Sequence, residues 1–213
     1  GHIMKRTPLA VAAAVAGTLF LSACAGNADP GSTGEDPAPA TSVATDTAGS
    51  GEEISEEHND ADVMFAQMMI PHHQQAVEMS ETLLAKDDIP QNVADFAQGV
   101  IDAQGPEIDR MNAMLEAWGQ EPMGTGDMGD MGGHGGMSGM MSEDDMRQLE
   151  DATGTEAAKL YLEQMTRHHE GAVDMAEQQV ADGQNPQAVA LAEQVIEDQE
   201  AEIQEMKTML DQL

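Results

Sequence analysis

The feature that most constrains this chain is that nearly everything after residue 58 is one unit written twice. Residues 65–73 read FAQMMIPHH and residues 161–169 read YLEQMTRHH, an offset of 96. Ala76-Val77-Glu78-Met79 then meets Ala172-Val173-Asp174-Met175, and Pro90-Gln91 meets Pro186-Gln187. After a one-residue deletion, Gln104, Glu107, Ile108, Met111, Met114 and Leu115 match Gln199, Glu202, Ile203, Met206, Met209 and Leu210. A duplicated unit that cannot bury its apolar face alone must bury it against its copy, which leaves few architectures open.

Each copy has the period of a helical hairpin. Phe65, Met69, His72, Ala76, Met79 and Leu83 step by four and three, and so do Tyr161, Met165, His168, Ala172 and Met175. Asp87-Asp88-Ile89-Pro90 and Asp182-Gly183-Gln184-Asn185-Pro186 read as turns, with prolines suited to a helix's first position. Return helices follow over 91–118 and 187–211. Pro71 and Gly105-Pro106 predict local bends, and Arg167 in place of the first proline means that bend is not essential to the unit. Two facing hairpins make an all-α four-helix bundle. Five aromatics against 18 methionines predict a core of Met, Leu, Ala and Val.

Outside the repeat the chain changes character. Gly1-His2-Ile3 ahead of Met4 reads as a cloning scar. Lys5-Arg6, the apolar run Leu9 to Leu21 and Leu21-Ser22-Ala23-Cys24 then resemble a bacterial lipoprotein signal, so 1–23 is expected to be removed and Cys24, the single cysteine, lipidated. Residues 24–57 are Gly, Pro, Ala, Ser, Thr and acid, an expected disordered tether ending at an exposed His58. The bundle occupies 58–213: a first hairpin over 58–120, a Met/Gly-rich loop over 121–141, and a short helix with the second hairpin over 142–213. Ser142 is a suitable N-cap for that short helix. The expected place of work is outside the cytoplasmic membrane, anchored to it by lipid.

Charge narrows the partners. With 40 Asp+Glu against 8 Lys+Arg the formal charge is -32, which argues against nucleic acid and against docking on anionic lipid headgroups. It favours cations. His72-His73 and His168-His169 border the inward arc of their helices in both copies. Four buried imidazoles need partners, and Gln104, Glu107, Gln199 and Glu202 are the polar residues in line to provide them. Such a set is either a buried hydrogen-bond network or the support of a metal site. Met69 and Met165 stand three residues before His72 and His168, where di-iron bundles place Glu. Thioether in that place favours Cu(I) over iron, zinc or manganese. Met79, Met175, Met111 and Met206 extend the same faces, although helix-spaced methionines are also ordinary core filler. In the loop, Met123, Met128, Met131, Met137, Met140 and Met141 with His134 have no apolar face to join; they read as a flexible chelator for a soft ion, or else as a Met-biased linker.

The Met-Ile-Pro-His-His segment with Ala-Val-Glu-Met, the Gln-x-x-Glu-Ile-x-x-Met of each return helix and the duplication resemble the bacterial family called domain of unknown function 305. The resemblance covers residues 58–213 and implies a ferritin-like bundle, export, and copper binding of the kind found in CopM-type periplasmic proteins. It places copper ligands at Met69, His72, His73 and Met79 and at Met165, His168, His169 and Met175. The second copy departs from the motif, having Thr166-Arg167 for Ile-Pro. The expected function is therefore copper sequestration, tolerance or delivery, with Cu(I) favoured over Cu(II) and no catalysis. A copper-transfer partner and a homodimer formed by exchanging hairpins are compatible with the pattern. Two other readings stay open: an interaction module whose His/Glu/Gln network holds no metal, and a metal oxidase, which the lack of Glu-x-x-His disfavours.

Overall fold

The computed structural model describes residues 52–123 and 137–213. Cys24, Met128, Met131 and His134, together with the signal segment and most of the tether, lie outside the described residues. Among the described residues five helices carry the fold: α1 (Asp60–Leu84), α2 (Gln91–Ala117), α3 (Glu143–Asp151), α4 (Gly154–Asp182) and α5 (Pro186–Leu210). Among the described residues there is no strand, and no helix is long and apolar enough to cross a membrane. The fold is the all-α bundle the repeat demands.

Local chemistry sets the helix ends. Asn59 and Asp62 form a reciprocal capping box on α1, and Ser142 with Asp145 does the same on α3. Asn185 caps α5 with Pro186 in the first turn, whereas Pro90 stands at the cap position of α2, one residue outside it. α1 and α2 run unbroken through Pro71 and Pro106.

The hairpins α1–α2 and α4–α5 face each other through α1 and α4, which run antiparallel. Three contacts fix their register, stepping up α1 as they step down α4. Gln179 donates to Asp62 at 2.5 Å, the His72 and His168 rings meet at 3.8 Å between centroids, and Ser80 shares a hydrogen bond with Tyr161 at 2.7 Å.

The apolar interior falls into two clusters. One holds Ala76, Met79 and Leu83 of α1 with the first half of α2, the first half of α4 and the last turns of α5. The other holds Phe65, Met69 and Ile70 with the end of α2, Ala172 and Ala176 of α4, and the start of α5. Between them lie His72, His73, Gln104, Glu107, His168, His169, Gln199 and Glu202, two from each long helix: a polar waist across mid-bundle.

The tether is shorter than its composition suggests. Trp118 donates Nε1–H to Ser55 O at 3.0 Å, and Asn185 donates to both Ser55 O and Glu57 O at 2.8 Å. His58, expected to be merely exposed, is half-buried and stacks on Trp118 at 5.0 Å. Backbone groups there found partners 63 to 130 residues away, which composition cannot register.

Asp62 is fully buried, and its carboxylate accepts from Asn59 N, Gln179 Nε2, Gln184 N and Asn185 N. It fastens the start of α1 to the α4–α5 turn. Asp62→Ala strands those buried donors and is expected to cost about 3 kcal/mol, read as a lower urea midpoint with the slope unchanged.

Candidate metal centre at the waist

All four histidines are buried, with exposures of 0% for His72, His73 and His169 and 1% for His168. The helical stripe brings them inward, and the antiparallel crossing of α1 and α4 brings the two pairs together. Their surroundings differ in a regular way. His73 donates Nε2–H to Glu107 at 2.6 Å, and His169 donates Nε2–H to Glu202 at 2.5 Å. Each bond crosses within one hairpin, from α1 to α2 and from α4 to α5. His72 donates Nε2–H to the backbone carbonyl of Ser138 at 2.9 Å.

A proton held on Nε2 leaves Nδ1 as the ring's free lone pair. The Nδ1 atoms of His72, His73 and His169 are all buried without a hydrogen-bond partner, and His168 has none at either nitrogen. An orphaned buried polar atom costs about 1–3 kcal/mol, so the waist is held at some expense in stability. Carboxylate on one nitrogen and a free lone pair on the other is the arrangement that orients metal-ligating imidazoles.

Burial, the nearby His73 and, more weakly, His169 lower the pKa of His72 to about 3, although the Ser138 carbonyl works the other way. Burial also holds His168 well below the ordinary imidazole value, with His72, His169 and His73 adding to the effect. Both rings are therefore neutral at physiological pH, and their lone pairs meet no competing proton.

The sequence-predicted set is only partly gathered. Gln104 and Gln199 share the waist but make no bond to a histidine, and their Oε1 atoms lack partners; Glu107 and Glu202 alone take that role. Met69 and Met165, one turn from His72 and His168, are fully buried on opposite sides of the waist. Met79 and Met206 pack in one apolar cluster and Met111 in the other, while Met175 is half-buried at a surface groove. Among the described residues no three His, Cys, Asp or Glu side chains converge as a ready cage for a metal ion. The stacked His72 and His168 rings are tilted by only 35°, so lone pairs in their planes do not meet at one point without ring rotation.

The end of the Met-rich loop is not a free arm. Met141, expected to have no apolar face to join, is 7% exposed and belongs to a core cluster; Met123, Met137 and Met140 are half-buried. Gln75 grips the Met141 backbone from both sides, donating to its carbonyl at 3.0 Å and accepting from its N–H at 2.8 Å. Ser138 and Gly139 lie directly on Gly171 of α4, where any Cβ would collide with the Ser138 carbonyl. Gly139 itself has φ +78, a conformation glycine adopts freely. Gln75 and Gly171 occupy equivalent places in the two copies, so one repeat position holds the strap twice. Sequence reading missed Ser138, Gln75 and Gly171. The available signal was a glycine inside a helix, which costs about 1 kcal/mol and asks for a packing reason.

Comparison with known proteins places these features in context. The family model described as Domain of unknown function (DUF305) matches residues 62–210. A DUF305 protein from Streptomyces coelicolor, provisionally described as secreted, is 33% identical over 71% of this chain and 93% of its own, with a TM-score of 0.64. A DUF305 fragment from Deinococcus radiodurans is 31% identical over 73% of this chain and 98% of its own, with a TM-score of 0.65. CopM in a Cu(II)-bound form is 32% identical over 71% of this chain and 96% of its own, with a TM-score of 0.58; it is also known in Cu(I)- and Ag-bound forms. No curated protein matches the sequence.

Two predictions follow from the waist's geometry. A histidine depressed to about 3 in the fold, against 6.5 unfolded, contributes stability above pH 6.5 that is lost as pH falls toward 3. Stability should drop by up to roughly 1.4 kcal/mol per pH unit for each such ring, and His72→Gln/His168→Gln should flatten the slope between pH 6.5 and 5. Gly171→Ala should dislodge the strap, seen as faster amide exchange at Met141 while helix content is kept.

Proposed function

The chain belongs to the DUF305 family, and on that premise we propose that it is a copper-binding protein working outside the cytoplasmic membrane, anchored through a lipid on Cys24. It holds Cu(I), and less tightly Cu(II), through histidine and methionine for sequestration, tolerance or delivery to a transfer partner. The observation that carries the reading is the waist: four buried imidazoles, three of them anchored through Nε2 with Nδ1 left as a free lone pair. CopM, similar over most of this chain, binds Cu(I), Cu(II) and silver, which supports copper as the cargo.

The chain's own residues supply the chemistry. Neutral His72 and His168 offer lone pairs across the physiological range, so uptake need not wait for proton release. Glu107 and Glu202 orient His73 and His169 and counter part of the ion's charge. Met69 and Met165 provide soft thioethers one helical turn away, and thioether does not titrate. Ring rotation at the His72–His168 stack is the step that makes the lone pairs converge. A set this poor in carboxylate suits holding copper rather than oxidising it, and we read the protein as a non-enzyme.

The stacked rings favour one competing reading, in which the waist is a metal-free polar layer that fixes helix register. Anaerobic Cu(I) titration against a chromophoric chelator separates the two. The wild type should withdraw copper from the chelator, and at about 100-fold above Kd copper should add about 2.7 kcal/mol of stability. His72→Gln/His168→Gln should weaken uptake by at least about tenfold. A wild type that leaves all Cu(I) on the chelator would establish the metal-free layer.

A further inference from the structure

The duplication makes two equivalent grooves between α1 and α4, one on each side of the waist, and among the described residues a helix covers only one of them. On the covered side α3 lies over the helices. Its Leu149 is fully buried, and Gln164 of α4 donates to its Asp145 carbonyl at 2.9 Å. On the other side no described helix lies over the groove, which has a volume of about 570 Å³.

Two of three residues lining the two grooves have diverged, and the third is methionine in both copies. Leu160, Gln164 and Met79 on the covered side correspond by the repeat to Met64, Met68 and Met175 on the open side. Met64 and Met68 are one turn apart on α1. The register that pairs Asp62 with Gln179 and His72 with His168 sets Met175 between their levels on α4. Met64 is 56% exposed, so its thioether is open to solvent at the edge of the groove. Acidic Asp174, Glu177 and Asp182 also line this groove, and among the described residues no basic side chain does.

We propose that Met64, Met68 and Met175 form a surface thioether site for a soft monovalent cation of the Cu(I) and Ag(I) class, with Asp174 neutralising its charge. Three uncharged sulfurs beside carboxylates select such a cation, because hard ions prefer oxygen and the acidic rim rejects anions. The site is distinct from the waist but adjoins it. Ser138 lines the groove and donates Oγ–H to Asp174 at 3.5 Å, while its carbonyl holds His72 on the inner side. A cation in the groove is thus one residue's thickness from the buried histidines.

The test uses the full chain labelled with ¹³C at methionine methyls and titrated with silver nitrate in chloride-free buffer, with histidine ring resonances followed in parallel. The methyls of Met64, Met68 and Met175 should move together in the first equivalents, ahead of other methionines. Met64→Leu/Met68→Leu/Met175→Leu, nearly volume-conserving, should keep its helix content and bind about one equivalent less silver. Should that variant fail to fold, the wild-type methyl shifts still decide the matter. If these methyls stay still, or move only with all the others in excess silver, the proposal is wrong. Methyl shifts without histidine shifts support this site while counting against copper at the waist. Histidine shifts without these methyl shifts do the reverse.

Discussion

The long helices of this molecule are arranged around a polar layer at mid-bundle. Two short histidine–carboxylate hydrogen bonds, His73 to Glu107 and His169 to Glu202, cross each hairpin at the same height. The His72–His168 stack then joins one hairpin to the other. Imidazoles can sit in a dry interior only when the helices deliver their partners there, so this layer dictates the register of all four long helices. The apolar core is divided into two clusters as a consequence, and neither runs the length of the bundle.

The duplication is best kept at that layer and least kept away from it. By the repeat, Asp62 and Gln179 correspond to Ala158 and Leu83, and Ser80 and Tyr161 to Ala176 and Phe65; buried polar pairs in one place are apolar packing in the other. Each end kept a complementary pair, although its chemistry changed. The connector between the copies adds a further asymmetry, since a two-fold arrangement has two equivalent surfaces and a single strap. The strap seats Ser138 on His72 and leaves both ring nitrogens of His168 without a close partner among the described residues. The two copies therefore present different histidine environments despite matching motifs.

Much of this was legible in the residues. The stripe Phe65, Met69, His72, Ala76, Met79, Leu83 is buried throughout, because helical period and burial are tied by local geometry. The partnership of Glu107 and Glu202 with histidine was legible too, because both copies carry the same polar residues at matching places. The seat of Met141 was not. A glycine-rich segment shows no period, and the forces that place its end act between Gln75 and Met141, 66 residues apart. Ser55 and His58 were missed for the same reason, since their partners Asn185 and Trp118 are distant in the chain.

The sequence by itself therefore determined the number and phase of the long helices, the pairing of copies and the inward direction of the histidines, all of which follow from 3.6-residue periodicity repeated twice. Only the tertiary structure decided which methionines are filler and which face solvent, which histidine is capped and which is left without a partner. Those outcomes depend on the antiparallel register of α1 against α4 and on the seat of α3 over one of two equivalent grooves. Both are set by contacts between residues distant in the chain, and no local pattern encodes them.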